Sequence, residues 1–279
     1  MKPLFYLLAL VTTLASCRTQ RYVYAPSPPN ISYFKQKGDF KLTAFYSNGD
    51  NGINNANQQI ILPVKKSNDG FDIQSAYAFS NHWACMLSFF QRKEVDAYGI
   101  NGNIFDTSLV NYKRKLTEFG IGYFFPLNKS KTITYNIYGG VAVGNFSFID
   151  AGTDKNSVAY SHYFENKITK PFLQGGFNFM PSKYIRFSFT GKFSLVHFSN
   201  NNTSYSSVEQ QYFYLDKISD NTLTFFEPTF NLQLGIPKVD FLKLEMGITA
   251  SSGLPTYYPA VRGFNASIGL SLNFSALKK

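Results

Sequence analysis

The sequence predicts an all-β fold, an up-and-down antiparallel transmembrane β-barrel of about ten strands with a filled polar interior. Three observations predict it. Aromatic residues make up 18% of the 279-residue chain and charged residues only 16%, against about a quarter charged in an ordinary soluble domain, so much of the surface must face something other than water. Beyond the N-terminus no segment approaches the roughly 18 uninterrupted apolar residues of a membrane helix, so a membrane-embedded part would have to cross with strands. From Asp39 onward, stretches with period-two alternation are separated in turn by short turns and long polar loops, the pattern of a barrel with periplasmic turns and external loops.

The elements follow in order. Residues 1–16, within "MKPLFYLLALVTTLASC", carry a basic Lys2, an apolar run from Leu4 to Val11 and small residues before Cys17, and read as a secretion signal. Leu14, Ala15, Ser16 and Cys17 resemble the bacterial lipobox, in which the chain is cut before the cysteine and that cysteine takes the lipid. Arg18 stands where an aspartate would retain such a lipoprotein at the inner membrane, so the resemblance implies a cell outer membrane location with an N-terminal lipid anchor at Cys17. Lipidation leaves Cys85 as the only thiol, so no disulfide framework forms. Residues 17–37, with Pro26, Pro28 and Pro29 and no alternation, read as a lipidated tether, and residues 38–279 as the barrel.

Ten strands are predicted near 39–47, 70–79, 84–92, 112–125, 132–148, 163–180, 185–199, 223–235, 240–251 and 263–274, with Ile60 to Val64 as a further short candidate. The clearest short turns are "SNHW" at 80–83, "PLNKSK" at 126–131, "PSKY" at 181–184 and "IPKV" at 236–239. An even strand number puts both ends of the barrel on the periplasmic side. In 185–199, Ile185, Phe187, Phe189, Phe193 and Leu195 share one face against Arg186, Ser188, Thr190, Lys192 and Ser194, and 263–274 repeats the pattern. A soluble β-sandwich would invert this pattern, with the apolar face inward. The size of the aromatic faces and the scarcity of charge on the polar ones favour the barrel. Trp83, Tyr123, Phe124, Phe125 and Tyr184 beside short turns, and Tyr112, Tyr163 and Phe198 beside long loops, read as two aromatic girdles.

Polar faces turned inward bring Lys41, Asp72, Glu118, Arg186, Lys192, Glu227, Lys243 and Glu245 into the lumen, where opposite charges must pair because isolated ones would be costly. Ten strands lie near the filled end of the size range, so a narrow channel is the least favoured function. Loss of residues 1–16 removes Lys2 alone and leaves 26 basic and 17 acidic residues. That excess suits anionic outer-membrane lipids, while nucleic acid is the wrong partner for an exported chain. No His or Cys pair has metal spacing and no glycine-rich loop opens a helix, so neither metal nor cofactor is expected.

One stretch carries possible chemistry. His197 and Ser199 in "HFSN" share the face that parity turns toward lipid, near the external end, where a histidine-activated serine would meet a lipid ester. The stretch resembles the outer-membrane lipid A deacylases, small barrels with a His-x-Ser-Asn motif on a lipid-facing strand. The resemblance implies Ser199 as nucleophile and His197 as base, with Glu209 or Glu165 as the orienting acid. The residues after the asparagine depart from that pattern. The expected function is therefore a structural or accessory barrel lipoprotein whose external loops bind another outer-membrane or surface protein or a surface glycolipid, with a lipid A or phospholipid esterase as the alternative.

Overall fold

Alternation over ten long segments leaves each strand one apolar and one polar face, and the computed structural model resolves that by closing a single sheet on itself. The structure describes residues 21–49, 67–99, 107–154, 156–218, 221–254 and 260–275. In chain order the elements are β1 (Tyr22–Tyr24), β2 (Phe40–Gly49), β3 (Ser67–Ala78), β4 (Trp83–Gly99), β5 (Thr107–Pro126), β6 (Ile133–Thr153), β7 (Ala159–Phe179), β8 (Ile185–Thr203), the short helix α1 (Ser207–Tyr212), β9 (Leu223–Ile236), β10 (Val239–Ala250), β11 (Ser252–Leu254), β12 (Ala260–Val261) and β13 (Phe264–Phe274). From β2 to β10 each barrel strand pairs antiparallel with the next. β13 then lies between β10 and β2, with Leu42 opposite Leu272, and the barrel is closed with ten long strands. The signal peptide, Cys17 and the candidate strand at 60–64 lie outside the described residues.

The outward-facing and lumen-facing sets follow the period-two parity. Ile185, Phe189, Phe193 and Leu195 are exposed on the outside, while Ser188, Thr190, Lys192 and Ser194 are buried inside. Parity also corrects the girdles. Trp83, Tyr184 and Tyr163 do face outward, but Phe124, Tyr112 and Phe198 are buried in the lumen, because each sits one residue out of step with its outward neighbours. At Gly122 a Cβ would meet the Ile137 carbonyl and the Tyr138 ring at 2.3 Å, so only glycine lets that inward tyrosine lie against the wall.

Two differences from the sequence reading matter for function. First, β4, β5, β6 and β7 run on through residues expected to be loop, to Gly99, from Thr107, to Thr153 and from Ala159. Beyond the apolar belt the outward positions become mixed, polar at Lys93, Asn111 and Ser147 and apolar at Val95, Leu109 and Ile149, so the amphipathic contrast that marks a strand fades while the pairing continues. One side of the barrel is thereby taller than the side formed by β9, β10, β13 and β2.

Second, the described part of the expected tether is not a solvated linker. From Asp39 at the short-turn end the preceding residues run back through the lumen to Arg21 at the long-loop end, buried throughout the stretch Val23 to Phe34. The prolines prevent this segment from forming a ladder of its own, and its aromatic side chains fill the interior. Inward side chains satisfy its backbone instead: Lys41 donates to the Ile31 carbonyl at 2.6 Å, Gln174 to that of Asn30 at 2.8 Å, Asn178 to that of Ser32 at 2.9 Å and Gln74 to that of Pro28 at 3.0 Å. At its outer end β1 pairs parallel with β12.

Candidate functional site

The lumen is layered by charge. Near the short turns Lys41 pairs with Glu245 at 2.8 Å, whose other oxygen accepts from Gln233 at 2.7 Å. In the middle, Glu118 lies between Lys192 at 2.6 Å and Lys170 at 3.7 Å. Lys170 also meets Glu227 at 3.1 Å and donates to the Tyr24 hydroxyl at 2.6 Å, which in turn donates to Glu227 at 2.7 Å. At the loop end Arg262 reaches Asp96 at 2.6 Å and Glu94 at 3.3 Å, Arg114 pairs with Glu94, and Arg21 pairs with Asp150 at 2.5 Å. The lumen segment therefore contributes Arg21 and Tyr24 to the network rather than merely occupying space.

Of the other lumen residues named from the sequence, Asp72 accepts from Ser47 at 2.8 Å and Arg186 donates to Asn273 at 3.4 Å. Lys243 donates to the Lys183 and Asp240 carbonyls at 3.1 and 3.2 Å, tying down the short-turn end. Sequence reasoning missed Lys170, Arg92, Arg114, Glu94, Asp96, Asp150, Arg262 and Arg21. Lys170 shows why: its inward neighbours Ile168 and Phe172 are apolar, so the strand has no clean polar face to betray it.

The deacylase-like residues occupy the outer wall. His197 and Ser199 both face outward, paired with Thr169 and Lys167 of β7, and no hydrogen bond joins them among the described residues. Two residues along a strand span about 6.6 Å of backbone, and both side chains point away from the wall rather than toward each other. Asn200, with φ 54°, bends the strand just beyond them. Glu165 accepts from Asn202 at 2.7 Å and reaches neither residue. Glu209 lies in α1, where it forms a capping box with Ser206 and approaches His162 at 3.5 Å. The arrangement brings none of the four together. Ser199→Ala is accordingly expected to leave the acyl pattern of lipid A unchanged, read by mass spectrometry of lipid A from cells expressing either form; a shifted pattern would restore the esterase reading.

The loop after β8 gathers a different set. His162 stacks on Tyr205 with ring centres 4.7 Å apart, and its Nδ1 lies 3.5 Å from the Ser204 hydroxyl. The Ser204 oxygen already accepts the Tyr163 amide at 2.9 Å, so this group pins the loop to the wall rather than presenting a nucleophile. Burial raises the Glu209 carboxyl, but the hydrogen bonds from Ser206 and the charge of His162 outweigh it and hold the carboxyl below its usual range. Burial and then the Asp150 carboxylate push the Tyr205 hydroxyl well up, keeping it a donor to Asp150 at 2.6 Å. Among the described residues no cluster of His, Cys, Asp and Glu could hold a metal ion.

No protein-family model matches the sequence, and no curated protein matches it. Solved structures similar in shape include the outer membrane protease OmpT from Escherichia coli, at 8% identity and a TM-score of 0.44, covering 85% of this chain and 94% of that one. The translocator domain of the autotransporter NalP from Neisseria meningitidis gives 10% identity and 0.46, covering 85% and 89%. LpxR from Salmonella typhimurium gives 8% and 0.33, covering 84% and 100%.

Proposed function

We propose that this protein is an integral outer-membrane barrel with a structural or accessory role, in which the membrane part is a closed support and the long-loop end binds a partner. The observation that carries this reading is the lumen, filled by the chain's own residues 21–36 and by layered ion pairs. Among the described residues, eight basic and eight acidic side chains are buried, so the interior balances its own charge. A path for solute would have to break that balance, at the high cost of unpaired buried ions. The outer surface supports the membrane setting: Leu87, Phe119, Val143, Leu173, Phe189 and Leu270 are each at least 50% exposed, a cost in water that lipid removes.

Lipidation at Cys17 belongs to the same proposal. Arg21 stands at the long-loop end, and four residues extend at most about 14 Å. The lipid would therefore enter the leaflet on the loop side.

The binding surface on this reading is the collar above the belt, where α1 displays Val208 and Tyr212 at 73% and 45% exposure. A photo-crosslinking residue at Val208 in intact cells is expected to give discrete adducts, and the same residue at Leu127 in a short turn none. Absence of adducts at Val208 in fully expressed, surface-accessible protein would remove the partner-binding role.

A further inference from the structure

Because the buried charges cancel among the described residues, those side chains contribute nothing to the formal +10 of the chain, and the basic excess lies elsewhere. Part of it is concentrated on the outer wall. We propose that Lys93, Lys113, Lys115 and Lys167 form a binding site for the phosphate groups of a phosphorylated glycolipid in the outer leaflet. The proposal rests on the membrane-spanning orientation argued above and names where and how that lipid would be held.

Position comes first. Outward residues on β4 read Leu87, Phe89, Gln91, Lys93, and on β5, counted from the short turns, Ile121, Phe119, Thr117, Lys115, Lys113. On β6 they read Val141, Val143, Asn145, Ser147, and on β7 Leu173, Pro171, Thr169, Lys167. The lysines thus begin two outward positions above the continuous apolar belt, at head-group level, with Val95, Leu109 and Ile149 outward again beyond them.

Register makes them one group. Lys93 lies directly opposite Lys113, and Asn145 lies opposite both Lys115 and Lys167. All four are exposed, and none forms an ion pair among the described residues. Like charges facing each other across strands repel, so the cluster carries a cost that an anion would reverse. The nearest outward carboxylates are Asp69, directly opposite Lys93, and Glu165, two residues from Lys167; they accept from Tyr46 and from Asn202, and their two charges leave the four ammonium groups in excess. Between Lys113, Lys115 and Lys167 the wall has a groove of about 550 Å³, lined also by Asn145, Ser147 and Asn200 and by the one carboxylate Glu165, so three ammonium groups face one negative charge there.

A belt of interfacial lysines that merely reach for water would run round the whole barrel. Here the corresponding outward positions on the low side are Thr224 and Phe226 on β9, Ile248 and Ala250 on β10, and Phe264 and Ala266 on β13. The one-sidedness, with hydroxyl and amide donors between the ammonium groups, fits a head group with more than one phosphate. Its contact with the apolar belt favours a lipid over an acidic protein, which would need a surface clear of the membrane.

The test is native mass spectrometry of the intact chain in maltoside micelles, titrated with bis-phosphorylated lipid A, with the same lipid after phosphatase treatment, and with inorganic phosphate. The wild type is expected to prefer the bis-phosphorylated lipid by about tenfold or more over the dephosphorylated form. The quadruple variant K93Q/K113Q/K115Q/K167Q should lose that preference, and K129Q/K131Q, in a short turn, should keep it. Heat-modifiable gel mobility shows whether each variant is folded. Equal binding of the two lipids by folded wild type, an unaltered preference in the folded quadruple variant, equally tight binding of inorganic phosphate, or selective binding of an acidic peptide instead would each overturn the site. Insertion into vesicles of phosphatidylcholine and phosphatidylglycerol is measured in parallel. A chain that inserts but ignores phosphate loses this inference alone, whereas one that fails to insert loses the membrane reading beneath it.

Discussion

A chain lacking residues 21–36 is expected to conduct ions in a planar bilayer where the intact chain is silent, and to be less stable by about 5 kcal/mol or more. Tyr24, Tyr33, Phe34, Val23 and Ile31 are 5% exposed or less. Each such side chain contributes on the order of 1.5–3 kcal/mol when buried. Their loss would leave Lys170, Gln174 and Asn178 facing water along a continuous path. Conductance steps and the denaturant midpoint of the reconstituted barrel check the two halves. A truncated barrel that stays silent and equally stable would show that the side-chain network alone closes the lumen. Tyr24→Ala, which removes the hydroxyl between Lys170 and Glu227 without shortening the chain, should give a smaller loss in the same direction.

The second large effect is expected at Glu118. Its carboxylate accepts from Lys192 with both oxygens, at 2.8 and 2.6 Å, and from Ser27 at 3.3 Å, and all three side chains are buried. Glu118→Ala leaves two ammonium groups sharing Glu227, and removing one partner from a buried network costs about 3–5 kcal/mol. Glu118→Gln should cost less, since the amide oxygen still accepts. The control is Asp240→Asn, which breaks the pair with Lys183 at 3.3 Å, where the side chains are 68% and 61% exposed. Such exposed pairs are screened by water and contribute little. Urea unfolding of the three variants in one detergent decides; equal losses at Glu118 and Asp240 would mean that water reaches the lumen freely.

Much of the wall was legible because period two is a strong signal wherever one face is apolar and the other polar. The strand from Ile185 alternates Phe187 and Phe189 against Ser188 and Thr190, and the structure keeps that facing. Legibility ended where the signal did. Above the belt both faces of β4 to β7 are polar or mixed, so the extended collar looked like loop. The lumen segment was illegible for a deeper reason: its burial depends on inward side chains contributed by β2, β3, β5 and β7, which no local pattern in residues 21–39 discloses. The site residues divide the same way. Strand parity placed His197 and Ser199 on the outward face, but the partner of Glu209 is His162, decided by how the loop after β8 folds back.

The lumen segment also constrains how the molecule can be made. A rope already lying inside a cask must be there before the last stave is set. The final seam joins β13 to β2, strands more than two hundred residues apart in the chain, with Asn265 opposite Gly49 and Phe274 opposite Phe40. Contacts that distant form late, since the entropy of loop closure must be met first. Residues 21–39 immediately precede β2, so they are made early and can recruit Gln74, Lys170 and Gln174 while the sheet is still open. On this ordering the segment acts as an internal mandrel: it aligns the inward faces before the seam is sewn, and the closed wall then holds it for the life of the protein.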